Sequence, residues 1–224
     1  MLNMLLGGNF DIRTALIYLL STLAVVFLTL PIHEFAHGFT ANKLGDPTAK
    51  YQGRLTLNPF VHIDYLGALM IIMFGFGWAK PVQVNARNFK DPKRDMAITA
   101  LAGPVSNLIM AFILSFLFNL IYSFGSLTGI AYYVVYFLYY IAYINVYLAV
   151  FNFIPIPPLD GSRILSAFLP DRIYYKLMQY ERYLFIGILV LLYTGILGGP
   201  LSSISDSIFG AFQNVTALPF NLLG

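Results

Sequence analysis

The chain has no cysteine. That excludes disulfides and thiolate metal sites, so a metal ion would have to be held by histidine, aspartate or glutamate. Charge is scarce as well. Only 10% of the 224 residues are Asp, Glu, Lys or Arg, where a soluble domain carries about 25%. No basic stripe or nucleic-acid motif is present and the net charge is only +3, which excludes a nucleic-acid partner. The only glutamates are Glu34 and Glu181, and Trp78 is the only tryptophan. What is abundant is apolar surface: 58% of residues are hydrophobic and the mean hydropathy is +0.74. This composition predicts an all-α, polytopic membrane protein in contact with the lipid bilayer.

Four apolar segments are near or above the roughly 20 residues that a bilayer requires: about 14–43, 96–123, 129–152 and 183–205. The first is flanked by the balanced pair Asp11 and Arg13, and no small-residue cleavage site follows it. It is expected to be a retained span rather than a leader. A fifth stretch, 66–79, is short and interrupted by Gly67, Gly75 and Gly77, which favours re-entry over crossing. Of the 13 Lys and Arg residues, eight lie between Lys43 and Arg94, four between Arg163 and Arg182, and none after Arg182. By the positive-inside rule both basic regions are cytoplasmic and the two termini lie outside. Between the first two long helices, Arg54–Leu57 and Pro81–Val84 alternate with period two and predict two short strands. Residues 170–182 mix charge with apolar residues and predict an amphipathic surface helix. The whole of 1–224 reads as one membrane domain, with a catalytic core over about 14–170 and a C-terminal helix and tail over 171–224. The tail after Asp206 carries no usable signal.

Against this background one motif is out of place. His33-Glu34-Phe35-Ala36-His37 reads H-E-x-x-H at the cytoplasmic end of the first span. Positions i and i+4 share a helix face, so both imidazoles can reach one metal ion, with Glu34 beside them as a candidate general base. Ionisable groups in an apolar span are costly and mark function by default. A catalytic zinc site commonly has three protein ligands. Asp160 follows Pro155-Ile156-Pro157-Pro158-Leu159 at the same end of the third span, where prolines break the helix and free the carboxylate. It reads either as the third ligand or as the cap of the next helix; the matching depth favours the ligand.

Gly103 and Pro104 read as a kink with a small packing face in the second long helix. Asn107, in the same Gly103-Pro104-Val105-Ser106-Asn107 run, has an amide that needs a partner: a substrate carbonyl or a neighbouring helix. His62 reads as an interfacial loop histidine, with a place in the substrate site as the alternative. Trp78 and the tyrosines from Tyr132 to Tyr147 read as interface anchors.

With HEFAH (33–37), GPVSN (103–107) and NFIPIPPLDG (152–161) in that order, the chain resembles the site-2 protease family of intramembrane zinc metalloproteases. RLTLNPFVHID (54–64) and GWAKPVQVN (77–85) are similar to its short bacterial and archaeal branch, which has no PDZ or CBS domain. The resemblance implies about four to six transmembrane helices with a small membrane-associated β-element between the first two long ones. It implies one Zn2+ per chain on His33, His37 and Asp160, Glu34 as catalytic base, and Asn107 holding substrate or the oxyanion. It further implies a multi-pass protein of the cell membrane that cleaves transmembrane-helix substrates, its active site towards the cytoplasm. The rival readings are a non-proteolytic zinc-binding membrane regulator and a transporter.

Overall fold

The computed structural model describes residues 12–74, 78–125 and 128–221, and among these every regular element is helical. The first apolar run forms α1 (Ile12–Ala24) and α2 (Leu30–Lys43), joined by a π-helical turn over Val25–Thr29. Pro31 explains the wide turn. It has no N–H to give to the preceding turn and its ring presses on the carbonyl there, so the ladder loosens just before His33. Three short helices follow: α3 (Thr48–Tyr51), α4 (Pro59–His62) and α5 (Tyr65–Phe74), then a 3-10 turn over Ala86–Asn88. The rest comprises α6 (Pro92–Phe124), α7 (Ile130–Asn152), α8 (Asp160–Ser166), α9 (Asp171–Gln179), α10 (Glu181–Tyr193) and α11 (Gly198–Asn221).

Among the described residues, three helices are long and apolar enough to cross a membrane: Ala15–Lys43, α6 and α7. A fourth span exists only if α10 and α11, bent by 80° at their junction, count as one. The sequence predicts a single helix over 183–205 and nothing beyond. Instead the helix stops at Tyr193, Gly195 adopts φ 76°, and α11 runs on to Asn221. The break was present in the sequence as Gly195 and Gly198-Gly199-Pro200 but was hidden in an unbroken apolar run. The supposed tail is a 24-residue helix whose Leu201 and Phe209 share a core with Ala111 of α6 and Ala142, Val146 and Val150 of α7.

The organising element is α6. Every fourth residue along it, Asp95, Thr99, Gly103, Asn107, Ala111, Ser115 and Asn119, is buried and small or polar. A four-residue step overshoots a helical turn by about 40°, so the stripe winds and meets different partners. Near Gly103 it faces α2. At its far end Asn119 Nδ2 donates to Thr216 Oγ1 at 2.8 Å and to Gln213 Oε1 at 3.0 Å on α11. Leu20, Ile109 and Ile113 are exposed on the outer faces, as residues that contact lipid tails would be.

The expected β-element does not form: no strand occurs among the described residues. The first alternating segment bends at Leu55 and Thr56, and the second runs without a bend but has its backbone groups bound elsewhere. Residues 78–85, here termed the strap, give the Lys80 N–H to His62 O at 2.8 Å, the Val82 N–H to Glu34 and the Asn85 N–H to Asp46. Period-two alternation is the signature of any extended segment with one face buried, and a ladder also needs a neighbour in register.

The Lys80–His62 bond also ties the two ends of the 66–79 stretch together. The chain leaves His62, runs through α5 and is back beside His62 at Lys80. Gly67 near the start of α5 lies so close that an added Cβ would stand 2.0 Å from Trp78 O. The stretch is thus a hairpin whose described ends lie side by side, as a re-entrant segment would require; Gly75 and Gly77 lie outside the described residues. Arg54, 7% exposed, clamps the neck by donating to Val61 O and Lys80 O. His62 is not an interfacial loop residue: it is fully buried, with Nε2 2.8 Å from Thr56 O. Asp46, also fully buried, accepts from Asn85 N–H and Asn88 Nδ2 at 2.7 Å and from Thr48. Burial alone would raise its pKa, but these donors hold the carboxyl below the usual range.

Two outcomes follow from the clamp and the hairpin. Arg54→Met keeps the apolar stem but strands two carbonyls, at about 1–3 kcal/mol for each buried unpaired group, so thermal unfolding in detergent moves to lower temperature. The chain is cysteine-free, so single cysteines at exposed Gln52 and Lys90 are readily labelled. Both react with an impermeant maleimide from one side of the membrane and Ser123→Cys from the other; labelling of the first two from opposite sides would mean that the hairpin crosses.

Candidate metal centre

His33, Glu34 and His37 occupy the first turns of α2, directly after the π-helical turn. All three are buried, at 6%, 8% and 8% exposure. The two imidazoles meet edge to face, with Nε2 atoms 3.0 Å apart. Asp160 comes from the first turn of α8, after the proline-rich break that ends α7. Its Oδ2 stands 3.2 Å from each Nε2. No side chain caps α8, so this carboxylate serves the histidines and not the helix end.

The donor set fits a zinc ion. Thr99 O can only accept, so His37 Nδ1, 2.7 Å away, must carry the proton and Nε2 is left with its lone pair. With the His33 proton on Nδ1, as metal binding requires, three lone-pair atoms converge in a buried space, where they repel unless a cation lies between them. Asp160 Oδ2 has no conventional hydrogen-bond donor and His33 Nδ1 has no partner among the described residues. Ligands bound tetrahedrally at about 2.0–2.2 Å would stand about 3.3–3.6 Å apart, close to the 3.0–3.2 Å observed. His33, His37 and Asp160 are the His/Asp/Glu group able to hold a metal among the described residues.

Two glycines make this approach sterically feasible. A Cβ on Gly103 would lie 2.3 Å from His37 Nε2 and 2.6 Å from His33 Cε1. Gly103 is therefore more than the packing face of a proline kink: it is the wall of the site. A Cβ on Gly161 would lie 2.4 Å from Phe153 O, so glycine there lets α8 start against the end of α7. Asn107, one turn beyond Gly103, is 2% exposed and its Nδ2 has no partner among the described residues. Nδ2 thus bridges to no helix among the described residues.

Glu34 faces the strap, its Oε2 accepting from Val82 N–H at 2.8 Å. Thr99 and Val82 were missed from the sequence. Thr99 had a signal, the four-residue spacing with Gly103 and Asn107. Val82 had none, because it acts through its backbone. His62 stands apart from the centre, in the hairpin neck. Trp78 packs edge-on against Phe185 of α10, with ring centroids 5.9 Å apart.

Known proteins give the same direction. The profile of peptidase family M50 matches residues 21–194. The chain is 43% identical over 204 residues to YwhC of Bacillus subtilis strain 168, covering 88% of this chain and 92% of that one. It is 33% identical over 162 residues to MJ0611 of Methanocaldococcus jannaschii, covering 70% and 73%. It is 30% identical over 175 residues to Rip2 of Mycolicibacterium smegmatis, covering 75% and 64%. All three are named as candidate zinc metalloproteases. No solved structure gives a significant match.

The steric role of Gly103 is testable by metal content alone. Gly103→Ala displaces both imidazoles, and zinc affinity falls about 10–100-fold, as for loss of groups that orient ligands, while far-UV circular dichroism stays unchanged. Gly210→Ala, with nothing within 4 Å of the new methyl, leaves zinc binding as it was.

Proposed function

The chain belongs to peptidase family M50, the site-2 protease family of zinc metalloproteases, and on that premise we propose that it hydrolyses peptide bonds of transmembrane protein substrates at the cytoplasmic side of the cell membrane. The observation that carries this reading is the meeting of His33, His37 and Asp160 at 3.0–3.2 Å beside a buried glutamate, at the end of a helix able to span the bilayer. Residues 1–224 act as one multi-pass unit. The basic residues of 43–94 and 163–182 support a cytoplasmic position for the C-terminal half of the Ala15–Lys43 span, which bears the site.

His33 Nε2, His37 Nε2 and the Asp160 carboxylate hold one Zn2+ per chain. When bound, zinc supplies a Lewis acid that polarises a carbonyl and acidifies a water. Glu34 takes the proton of the attacking water and delivers it to the departing amine. Asn107, with its unpartnered Nδ2, donates to the carbonyl oxygen as negative charge develops there. Thr99 O fixes the tautomer of His37 and thereby its readiness to bind a cation. The buried bundle excludes bulk water from the carboxylate. A substrate helix hides its carbonyls in its own hydrogen bonds, so it has to unwind before cleavage, and glycine or other weak helix formers near the cleaved bond speed the reaction.

A regulator without proteolysis would leave Glu34 with no catalytic proton to move, and a transporter would keep its transport in Glu34→Gln. The discriminating experiment uses purified protein, a single-span substrate in detergent, and metal analysis in parallel. Glu34→Gln retains about one zinc per chain and loses cleavage; Asp160→Ala loses zinc; Asn107→Ala retains zinc and cleaves about 100–1,000-fold more slowly, as for loss of an oxyanion donor. Zinc in the wild type with no cleavage of any single-span substrate would favour the non-proteolytic reading.

A further inference from the structure

Glu34 lies between His33 and Phe35 in α2, and one of its oxygens has a fixed partner. The Val82 N–H donates to Oε2 at 2.8 Å. Val82 is itself 5% exposed, and its side chain lies against Gly38, one helical turn beyond Glu34. A Cβ on Gly38 would come within 3.4 Å of Val82 Cγ1 and 3.2 Å of Ala49 Cβ. Val82 thus packs directly on the bare backbone of the helix that carries Glu34.

The strap is pinned on both sides of Val82. Two residues before it, the Lys80 N–H donates to His62 O at 2.8 Å and the Lys80 carbonyl accepts from Arg54, which also holds Val61 O. Three residues after it, the Asn85 N–H donates to buried Asp46 at 2.7 Å. Asp46 in turn sits just past the end of α2, the helix that carries Glu34. Both anchor points are buried polar side chains that belong to neither the metal centre nor the chemistry.

We propose that Val82 is a positioning residue whose backbone N–H, held by the Arg54 and Asp46 pins, orients the Glu34 carboxylate for proton transfer. This rests on the reading of Glu34 as the general base. A glutamate carboxylate rotates broadly about its last torsion. A fixed donor on Oε2 sets the plane of the group and leaves Oε1 as the oxygen that receives the proton. General-base transfer demands heavy-atom separations of about 2.6–3.2 Å, so a carboxylate free to rotate is rarely placed correctly. Because the operative group is an N–H, no side chain at position 82 reports it.

The test is made on the full chain in detergent, with valine at 82 replaced by its α-hydroxy analogue. This exchanges the N–H for an ester oxygen and keeps the side chain. Zinc stays at the wild-type level, which also verifies folding. The kcat falls about 10–100-fold, the scale of a small misplacement of reacting groups, with KM moving less than about twofold. Val82→Pro, which removes the same N–H, behaves alike. The same ester at exposed Gln83, whose N–H has no partner among the described residues, leaves kcat unchanged. Independently of activity, hydrogen exchange reads the bond itself: the Val82 amide is protected in the wild type and exchanges about tenfold faster in Glu34→Ala. Wild-type kcat in the 82 ester, or Val82 exchange indifferent to Glu34→Ala, would overturn the role of Val82 alone. A zinc-loaded wild type that cleaves nothing would overturn the protease reading and this role with it.

Discussion

Three atoms with lone pairs, His33 Nε2, His37 Nε2 and Asp160 Oδ2, are held 3.0–3.2 Å apart inside a bundle of apolar helices. In such surroundings they repel one another unless a cation joins them, and each is costly to bury alone. Much of the nearby architecture answers to that approach. The π-helical turn before His33, the bare backbone at Gly103, the broken end of α7 and the glycine after Asp160 each allow or steer it. Thr99 supplies the remaining condition by committing His37 Nδ1 as a donor.

A second set of buried polar groups organises the region between the first two long helices. Arg54 binds carbonyls on both sides of the hairpin neck, Asp46 gathers donors from the strap, and His62 closes onto Thr56 O. None of these touches the three converging atoms. They replace the hydrogen bonds that a β-ladder would have supplied, as buried irregular backbone requires. The result is an extended segment fixed against Glu34 without a sheet behind it. The centre and the hairpin meet at one hydrogen bond, Val82 N–H to Glu34.

The legibility of the sequence tracks how local each cause is. H-E-x-x-H was readable because four-residue spacing on a helix fixes a common face regardless of context. Asp160 was readable because consecutive prolines force a break near the depth of the histidines. The strand expected at 81–84 misled because alternation reports one-sided burial and not pairing, and the one expected at 54–57 bends at Leu55 and Thr56 instead. His62 misled because a histidine in a loop-like context gives no hint that the loop folds over it. The division of the last helix was masked by its even hydropathy, although Gly195 and Gly198-Gly199-Pro200 marked the place. Thr99 and Val82 contribute backbone atoms, which residue identity does not specify.

By itself the sequence determined the membrane setting, the positions of the three long helices, the chemical type of the metal donors and the family. Composition, apolar length and helical spacing are properties of short stretches and survive without knowledge of partners. Only the tertiary structure decided that Gly103 is a wall of the site, that Asp160 faces histidine rather than capping α8, that the strap is pinned and not paired, and that α11 completes the core. Each of those depends on which distant segments come within a few ångströms, and such proximity is created by packing rather than by neighbouring residues.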